Sequence, residues 1–499
     1  MMSVIKDLIE EFTELRRLQY IYALLDWDMQ VNLPSGSFEG RSEQTSLIRE
    51  IIHNRLTSEK IGKLISESEK LSDLNTIESA MIREARRDYD QEVKIPTELV
   101  KEIAKTRPLS QQAWQEAKQK NDFSIFKPLL EKMIKLQIEV AERLDTGPTL
   151  YSTLIDLFEP GATYSWIKGV FDDLKPKLVK VINKINSSNN KPDFSILTRK
   201  YDPDKQWNFS VEVVKGLQFD TNYGRQDKSV HPFTTTLSST DTRITTRIKE
   251  NFFSTCIFGS IHECGHALYE MGYQKDIHDT ILADGASMGI HESQSRMYEN
   301  IIGRSKDFWT YWFPILKEKY FAQTLHDVKL DDFYRAINTV QPSYIRVDAD
   351  EVTYGLHIIL RFEMEHDIIE GKMDVSEIPS IWNEKFEKLI GIPVKNDSDG
   401  MLQDVHWSAG LFGYFPTYAL GNLYAAQIYA DAIKKNPSLP QDYRKGDFSN
   451  ILAYLRENVQ QYGRIYQPRD LIMRITNEDL NPDYFIKYIE NKFYPIYQI

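Results

Sequence analysis

Two imidazoles and a carboxylate stand together in His262-Glu263-Cys264-Gly265-His266. On an α-helix, residues four apart share a face, so both rings can reach one ion while Glu263 flanks the same point. A tetrahedral Zn²⁺ takes two of its ligands in this way, with the glutamate free to act as a base. The same residues also contain Glu-x-x-His, the element of di-iron helical bundles. That spacing recurs at Glu50/His53 and Glu363/His366 and leaves His262 without a role. The plain alternative is a helix face whose two histidines and glutamate are solvated.

The surroundings favour a metal. Phe252, Phe253, Ile257, Phe258, Ile261, Ala267 and Leu268 make the flanks strongly apolar, which predicts a buried helix. Polar groups buried there need partners, and a cation supplies one. Glu292, in His291-Glu292-Ser293-Gln294, opens an amphipathic segment ending near Gly303 and is the expected third ligand. The interval from His266 leaves room for a loop and a return helix. A His-His-Glu set keeps a fourth position for water, as catalytic zinc requires. The residues alone therefore point to a zinc-dependent peptidase.

These groups must be positioned by a mainly helical chain. Apolar residues recur at three- and four-residue steps from Ser3 to about Met29, with Ile5, Leu8, Ile9, Phe12, Leu15, Leu18, Tyr22 and Leu25 on one face. Similar periods run through 41–54, 75–91, 96–120, 126–144 and 164–186. Between Gly216 and Ile248, Gln218-Phe219-Asp220 and Phe233–Leu237 suggest a sheet of two to four strands separated by turns. Helices resume from about Ile248, broken near Pro342–Thr353 and Pro393–Trp407. The expected organisation is one domain over residues 1–499, with Ser187–Lys205 a candidate join between a helical lobe (1–190) and a catalytic lobe (200–499).

Composition narrows the function. A net charge of −12 with no basic run argues against a nucleic-acid partner. Cys256 and Cys264 sit eight residues apart in one predicted helix, about 12 Å by helix rise, beyond disulfide reach. Reduced thiols and the lack of an apolar leader lead to the expectation of a cytoplasmic protein, and no apolar stretch is long enough to cross a bilayer.

Further segments accompany the helix motif: His231-Pro232-Phe233, Asp241-Thr242-Arg243-Ile244-Thr245-Thr246-Arg247, Ile345-Arg346-Val347-Asp348-Ala349-Asp350, Gly400-Met401-Leu402-Gln403-Asp404-Val405-His406-Trp407 and Gly413–Tyr418. With these, the sequence resembles the M32 metallocarboxypeptidases, the thermostable carboxypeptidase Taq family, over most of its length. The resemblance implies a large helical fold with a deep substrate groove and a small β-sheet beside the site, similar to the neurolysin and angiotensin-converting-enzyme peptidases. It also implies a homodimer that removes single residues from peptide C-termini with broad specificity, using zinc or cobalt.

On this reading His262, His266 and Glu292 hold the metal and Glu263 is the general base. Arg346, an Arg fork suited to a carboxylate, is the expected clamp for the substrate's C-terminus, with Asp348 or Asp350 as candidates to hold the guanidinium. Tyr418, Tyr414, His231 and His406 are carried over by motif as substrate-binding groups. Arg243 and Arg247 accompany a Thr-rich strand that could pair with an extended peptide, or serve as ion-pair partners. Cys264 is expected to be packing only. The rivals are an endo-acting oligopeptidase, which needs no terminal clamp, an aminopeptidase, disfavoured because no acidic motif to anchor an α-amino group stands beside the HExxH helix, and a helical binding or chaperone-like protein with a vestigial metal site.

Overall fold

The computed structural model describes residues 2–499. Its first third is a stack of helices whose ends follow local capping chemistry. Met2–Val31 turns Ile5, Leu8, Phe12 and Leu15 inward, as the periodicity requires, then continues the buried face with Tyr20 and Trp27. Phe38–Leu56, Thr76–Val93, Thr97–Lys120, Phe123–Leu144 and Tyr164–Ser187 cover the other periodic stretches. Asn75 and Glu78 form a reciprocal capping box at the start of Thr76–Val93. Asn121 and Asp145, both left-handed, terminate the next two long helices. Shorter helices at Glu59–Ser68, Leu150–Asp156 and Pro203–Gly216 were not marked by a long periodic run. One cluster of buried apolar side chains extends from Ile5 to Tyr497 and includes Ile182, Ile185, Phe209 and Val213, which lie on either side of Ser187–Lys205.

The sheet has three strands, β1 (Gly224–Lys228), β2 (Thr234–Ser238) and β3 (Asp241–Thr246), in the order β1-β3-β2. β3 runs parallel to β1 and antiparallel to β2. The expectation of a strand at Gln218–Asp220 is corrected: Gln218 has φ +74° and the segment turns. The real first strand, Gly-Arg-Gln-Asp-Lys, carries no apolar alternation that could have announced it. Trp27 ties the first helix to this sheet, with the guanidinium carbons of Arg225 and Arg243 at 5.3 and 4.3 Å from its ring centre. Arg243 is thereby a structural partner, paired with Asp241 at 2.8 Å.

Two helices carry the metal-type residues: Phe253–Glu270, with the histidines, and Met288–Arg296, with Glu292. Ser287 caps the second by accepting from Ile290 N, and its last turn passes into a π-helical turn at Met297–Ile302. The two meet closely at Gly265, where a Cβ would lie 2.7 Å from both Gln294 O and Ser295 Cα. A third helix, Pro416–Lys435, approaches through Gly421, whose Cβ would meet Glu292 Cβ at 2.7 Å. Gly265 lets two backbones meet directly and Gly421 leaves room for the Glu292 side chain itself, so both glycines set where Glu292 stands.

Candidate active site

His262, His266 and Glu292 each present a ligand atom within 4.8 Å of the others. The two imidazole Nε2 atoms lie 3.6 and 3.4 Å from Glu292 Oε2. The rear of each ring is also held. His262 Nδ1 donates to Glu299 Oε2 at 2.9 Å, leaving the Nε2 lone pair facing Glu292. His266 Nδ1 is 2.5 Å from His291 Nδ1, and His291 Nε2 donates to Glu270 Oε1 at 2.8 Å. When His291 is neutral, with its Nε2–H bonded to Glu270, its Nδ1 accepts from His266 and turns the second Nε2 lone pair to the same point; burial lowers the His291 pKa, but Glu270 and Asp284 outweigh it and raise it, so this arrangement goes with a bound cation. This donor set, two imidazole nitrogens and a carboxylate oxygen, fits a divalent transition metal.

The electrostatics of the group follow from burial and from its own charges. Burial raises the carboxyl of Glu292, but Arg296 and the two histidines outweigh it and hold the group well below the usual carboxylate range. Arg296 Nε donates to Glu292 Oε1 at 2.7 Å and Ser295 Oγ to Oε2 at 3.0 Å, and Oε2 keeps its remaining lone pair toward the histidines. Burial, followed by His291 and His262, pushes His266 down to about 3, so its lone pair stays available. For His262, burial is outweighed by Glu292, Glu299 and Glu263, and its pKa is raised. Burial pushes Glu263 upward, against the pull of His262 and the Thr234 hydroxyl. Thr234 Oγ1 donates to Glu263 Oε2 at 2.7 Å and contacts the Glu263 carbonyl at 3.0 Å, which sets the side chain's direction from β2. Cys264 is completely buried and burial raises its thiol, consistent with packing alone.

Arg346 lies in a short 3₁₀ turn and is 5% exposed. The aspartates expected to hold it do not. Asp348 is exposed, and Asp350 spends its oxygens on Val352 N, Thr353 N, Thr353 Oγ1 and Gln341 N. Asp404 takes that role, accepting Arg346 Nε and Nη2 on Oδ1 at 3.0 and 2.9 Å, while Nη1 donates to Tyr354 OH at 2.9 Å. Tyr418 and His406 adjoin this group: the Tyr418 ring centre is 5.0 Å from the Arg346 guanidinium carbon, and its hydroxyl is 3.3 Å from His406 Nε2. Tyr414 packs edge-on against Tyr418 at 5.2 Å. Burial pushes His406 down to about 4, keeping it neutral.

His231 is exposed, in the loop between β1 and β2; its neighbour Pro232 reaches the Phe253–Glu270 helix at Gly259. Arg247 is exposed just beyond β3, and among the described residues no hydrogen bond or ion pair joins it to the other candidates. The residues that sequence reasoning missed are Glu299, His291, Glu270, Arg296, Asp404 and Tyr354. Arg296 and Glu299 stand four and seven places after Glu292, a helical spacing that could have suggested them.

A part-buried His-His-Glu centre in a helical framework with a small sheet is the arrangement expected of a metallopeptidase of the HExxH type. Residues 7–493 match the model of the Carboxypeptidase Taq (M32) metallopeptidase family, and the chain belongs to that family. It is therefore a metallocarboxypeptidase, acting on peptides with a divalent metal. It is 41% identical over 492 residues to Carboxypeptidase 1 of Bacillus subtilis (strain 168), covering 98% of both chains. It is 37% identical over 504 residues to Thermostable carboxypeptidase 1 of Thermus thermophilus, covering 99% of this chain and 98% of the relative. The crystal structure of the M32 carboxypeptidase from Deinococcus radiodurans R1 superposes with a TM-score of 0.97 at 37% identity, over 100% of both chains. Among the described residues, no helix is long and apolar enough to cross a membrane.

Proposed function

We propose that the enzyme removes single residues from peptide C-termini with broad specificity, using zinc, or cobalt in its place, held by His262, His266 and Glu292. The convergence of their three ligand atoms within 4.8 Å carries this reading. When bound, the metal supplies Lewis acidity, making a water easier to deprotonate and polarising the scissile carbonyl. Glu263 takes the proton of the attacking water and passes it to the leaving amine. Its burial favours that exchange by bringing its basicity nearer to neutrality. Thr234 keeps the carboxylate directed while it does so.

Arg346 receives the substrate's terminal carboxylate and sets the last peptide bond over the metal-binding residues. Tyr418 and Tyr414 offer hydroxyls beside it, and neutral His406 orients Tyr418. His231 and Arg247 contact the peptide further from the scissile bond. β2 is an edge strand, which supports pairing with an extended substrate. The chain acts as one domain and as a homodimer. Its two free, buried cysteines suit the reducing cytoplasm. Its acidity suits peptides rather than nucleic acids as partners.

The test is mass spectrometry of a mixed peptide set incubated with enzyme that has been stripped by a chelator and reloaded with zinc or cobalt. A metal-dependent ladder of losses from the C-terminus is expected. Internal cuts, or equal cleavage of C-terminally amidated peptides, would replace the exopeptidase reading with an endopeptidase.

A further inference from the structure

Asp404 is shared between two arginines. Its Oδ1 accepts Arg346, while Oδ2 accepts Arg361 Nε at 2.6 Å and lies 2.5 Å from Arg361 Nη2. Arg361, on the Tyr354–Ile369 helix, is 0% exposed; its Nη1 donates to His357 O at 2.7 Å, and its guanidinium carbon lies 4.7 Å from the Trp382 ring centre. Two guanidinium groups thus face one carboxylate in the interior.

The neighbours do not balance the excess. His357 and His406 are both pushed downward by burial first and by these arginines, and stay neutral. Glu365, one turn along from Arg361, accepts from Tyr151 OH, Trp407 Nε1 and Gly413 N rather than from Arg361; burial pushes it up to about 7 against those donors and the charge of Arg361, so it offsets the excess only in part. An unbalanced buried cation is costly unless an anion completes the group. Arg361 is sealed from solvent, so an incoming anion can reach only Arg346. A guanidinium has five N–H groups and Arg346 uses three of them, leaving one on each terminal nitrogen for a ligand.

We infer that Arg361 is a positioning residue that sets the preference for a free C-terminal carboxylate, by drawing half of Asp404 away from Arg346. Without Arg361, Asp404 would neutralise Arg346 in a closed pair, and a terminal carboxylate would gain little over a terminal amide. With it, the Asp404 pair still orients Arg346 but leaves an effective positive charge for the substrate. This inference rests on the reading of Arg346 as the carboxylate clamp.

The experiment compares kcat and KM on N-benzoyl-Gly-Phe and its C-terminal amide. Arg361→Met, close in volume but neutral, is expected to raise KM for the free acid roughly tenfold or more, with a smaller effect on kcat, and to narrow the acid-to-amide preference. Adding Asp404→Asn to that variant restores the excess charge and is expected to recover much of the preference, which a merely structural arginine would not do. Arg361→Lys keeps the charge and carries the test if the neutral variant does not fold; it should retain the preference even if stability falls. An Arg361→Met enzyme with unchanged acid-to-amide preference, or a double variant less selective than the single one, overturns the inference. If Arg346→Met also leaves the preference unchanged, the clamp reading fails. If Arg346→Met abolishes the preference while Arg361→Met leaves it intact, only the role of Arg361 fails.

Discussion

Glu299 Oε2 accepts the Nδ1 proton of His262 at 2.9 Å, on the ring edge opposite the nitrogen that faces Glu292. The bond selects the tautomer of a metal-type histidine from a residue that touches no ion. Glu299 is held ready for this: burial raises its carboxyl, yet Arg296, His262 and Arg304 bring it down to about 2. Glu299→Gln should lower metal affinity roughly 10- to 100-fold, the usual cost of losing such a partner. Competition with a chromophoric chelator measures it; unchanged affinity would show that the bond does not direct His262.

Glu263→Gln should leave metal affinity within a few fold while reducing kcat by about two orders of magnitude or more. Isothermal titration and single-turnover kinetics on one preparation separate the two effects. Near-normal turnover would remove Glu263 from the proton path.

Arg346→Met should raise KM for free-acid dipeptides strongly, by about tenfold to a hundredfold, from the loss of a charge-assisted pair. Amidated peptides should be affected far less. Equal losses on both would mean that Arg346 supports the site without meeting the terminal carboxylate.

Burial pushes Glu159 up to about 7, against donors from Ser287, Tyr424 OH and Gly289 N at the start of the Glu292 helix. Its folded pKa lies above the unfolded value near 4.5, so the folded state binds the proton more tightly. Its stabilising contribution is complete below about pH 4.5 and is lost as pH rises through 7, on the order of 3 kcal/mol at full loss. Glu159→Gln should flatten the fall in stability between pH 5 and 8, read by denaturant unfolding. A parallel fall in the variant would assign the pH dependence elsewhere.

Metal removal should lower the unfolding temperature, because an ion that binds only the folded state adds RT ln(1 + [L]/Kd) to its stability. Differential scanning calorimetry with and without chelator tests this. Adding zinc back should restore the transition, and His266→Ala should abolish the difference.

Most of the long helices were legible because they carry an apolar face, and several have a chemical start, as at Asn75, or stop, as at Asn121 and Asp145. β1 was not, since its polar residues pair through the backbone with β3 and its side chains leave no alternation. Within the site, His262, His266 and Glu292 could be read because helical spacing and one return helix bring them together. The partner of Arg346 could not: Asp348 and Asp350 are near in sequence, but Asp404 reaches it from 58 residues away. Arg361 carried no signal at all, since a lone arginine in an apolar helix declares its role only through the carboxylate it meets in space.

The bare backbones at Gly265 and Gly421 give the centre an unusual kind of tolerance. The two ligand-bearing helices meet on bare backbone at Gly265, and the Glu292 side chain itself occupies the space a Cβ would take at Gly421, so ligand spacing is inherited from close helix contact. Variation in the surrounding residues can therefore reshape the neighbourhood without moving His262, His266 and Glu292 relative to one another. One added methyl group at either glycine would do the reverse, loosening the grip while the surface offered to substrate stays the same.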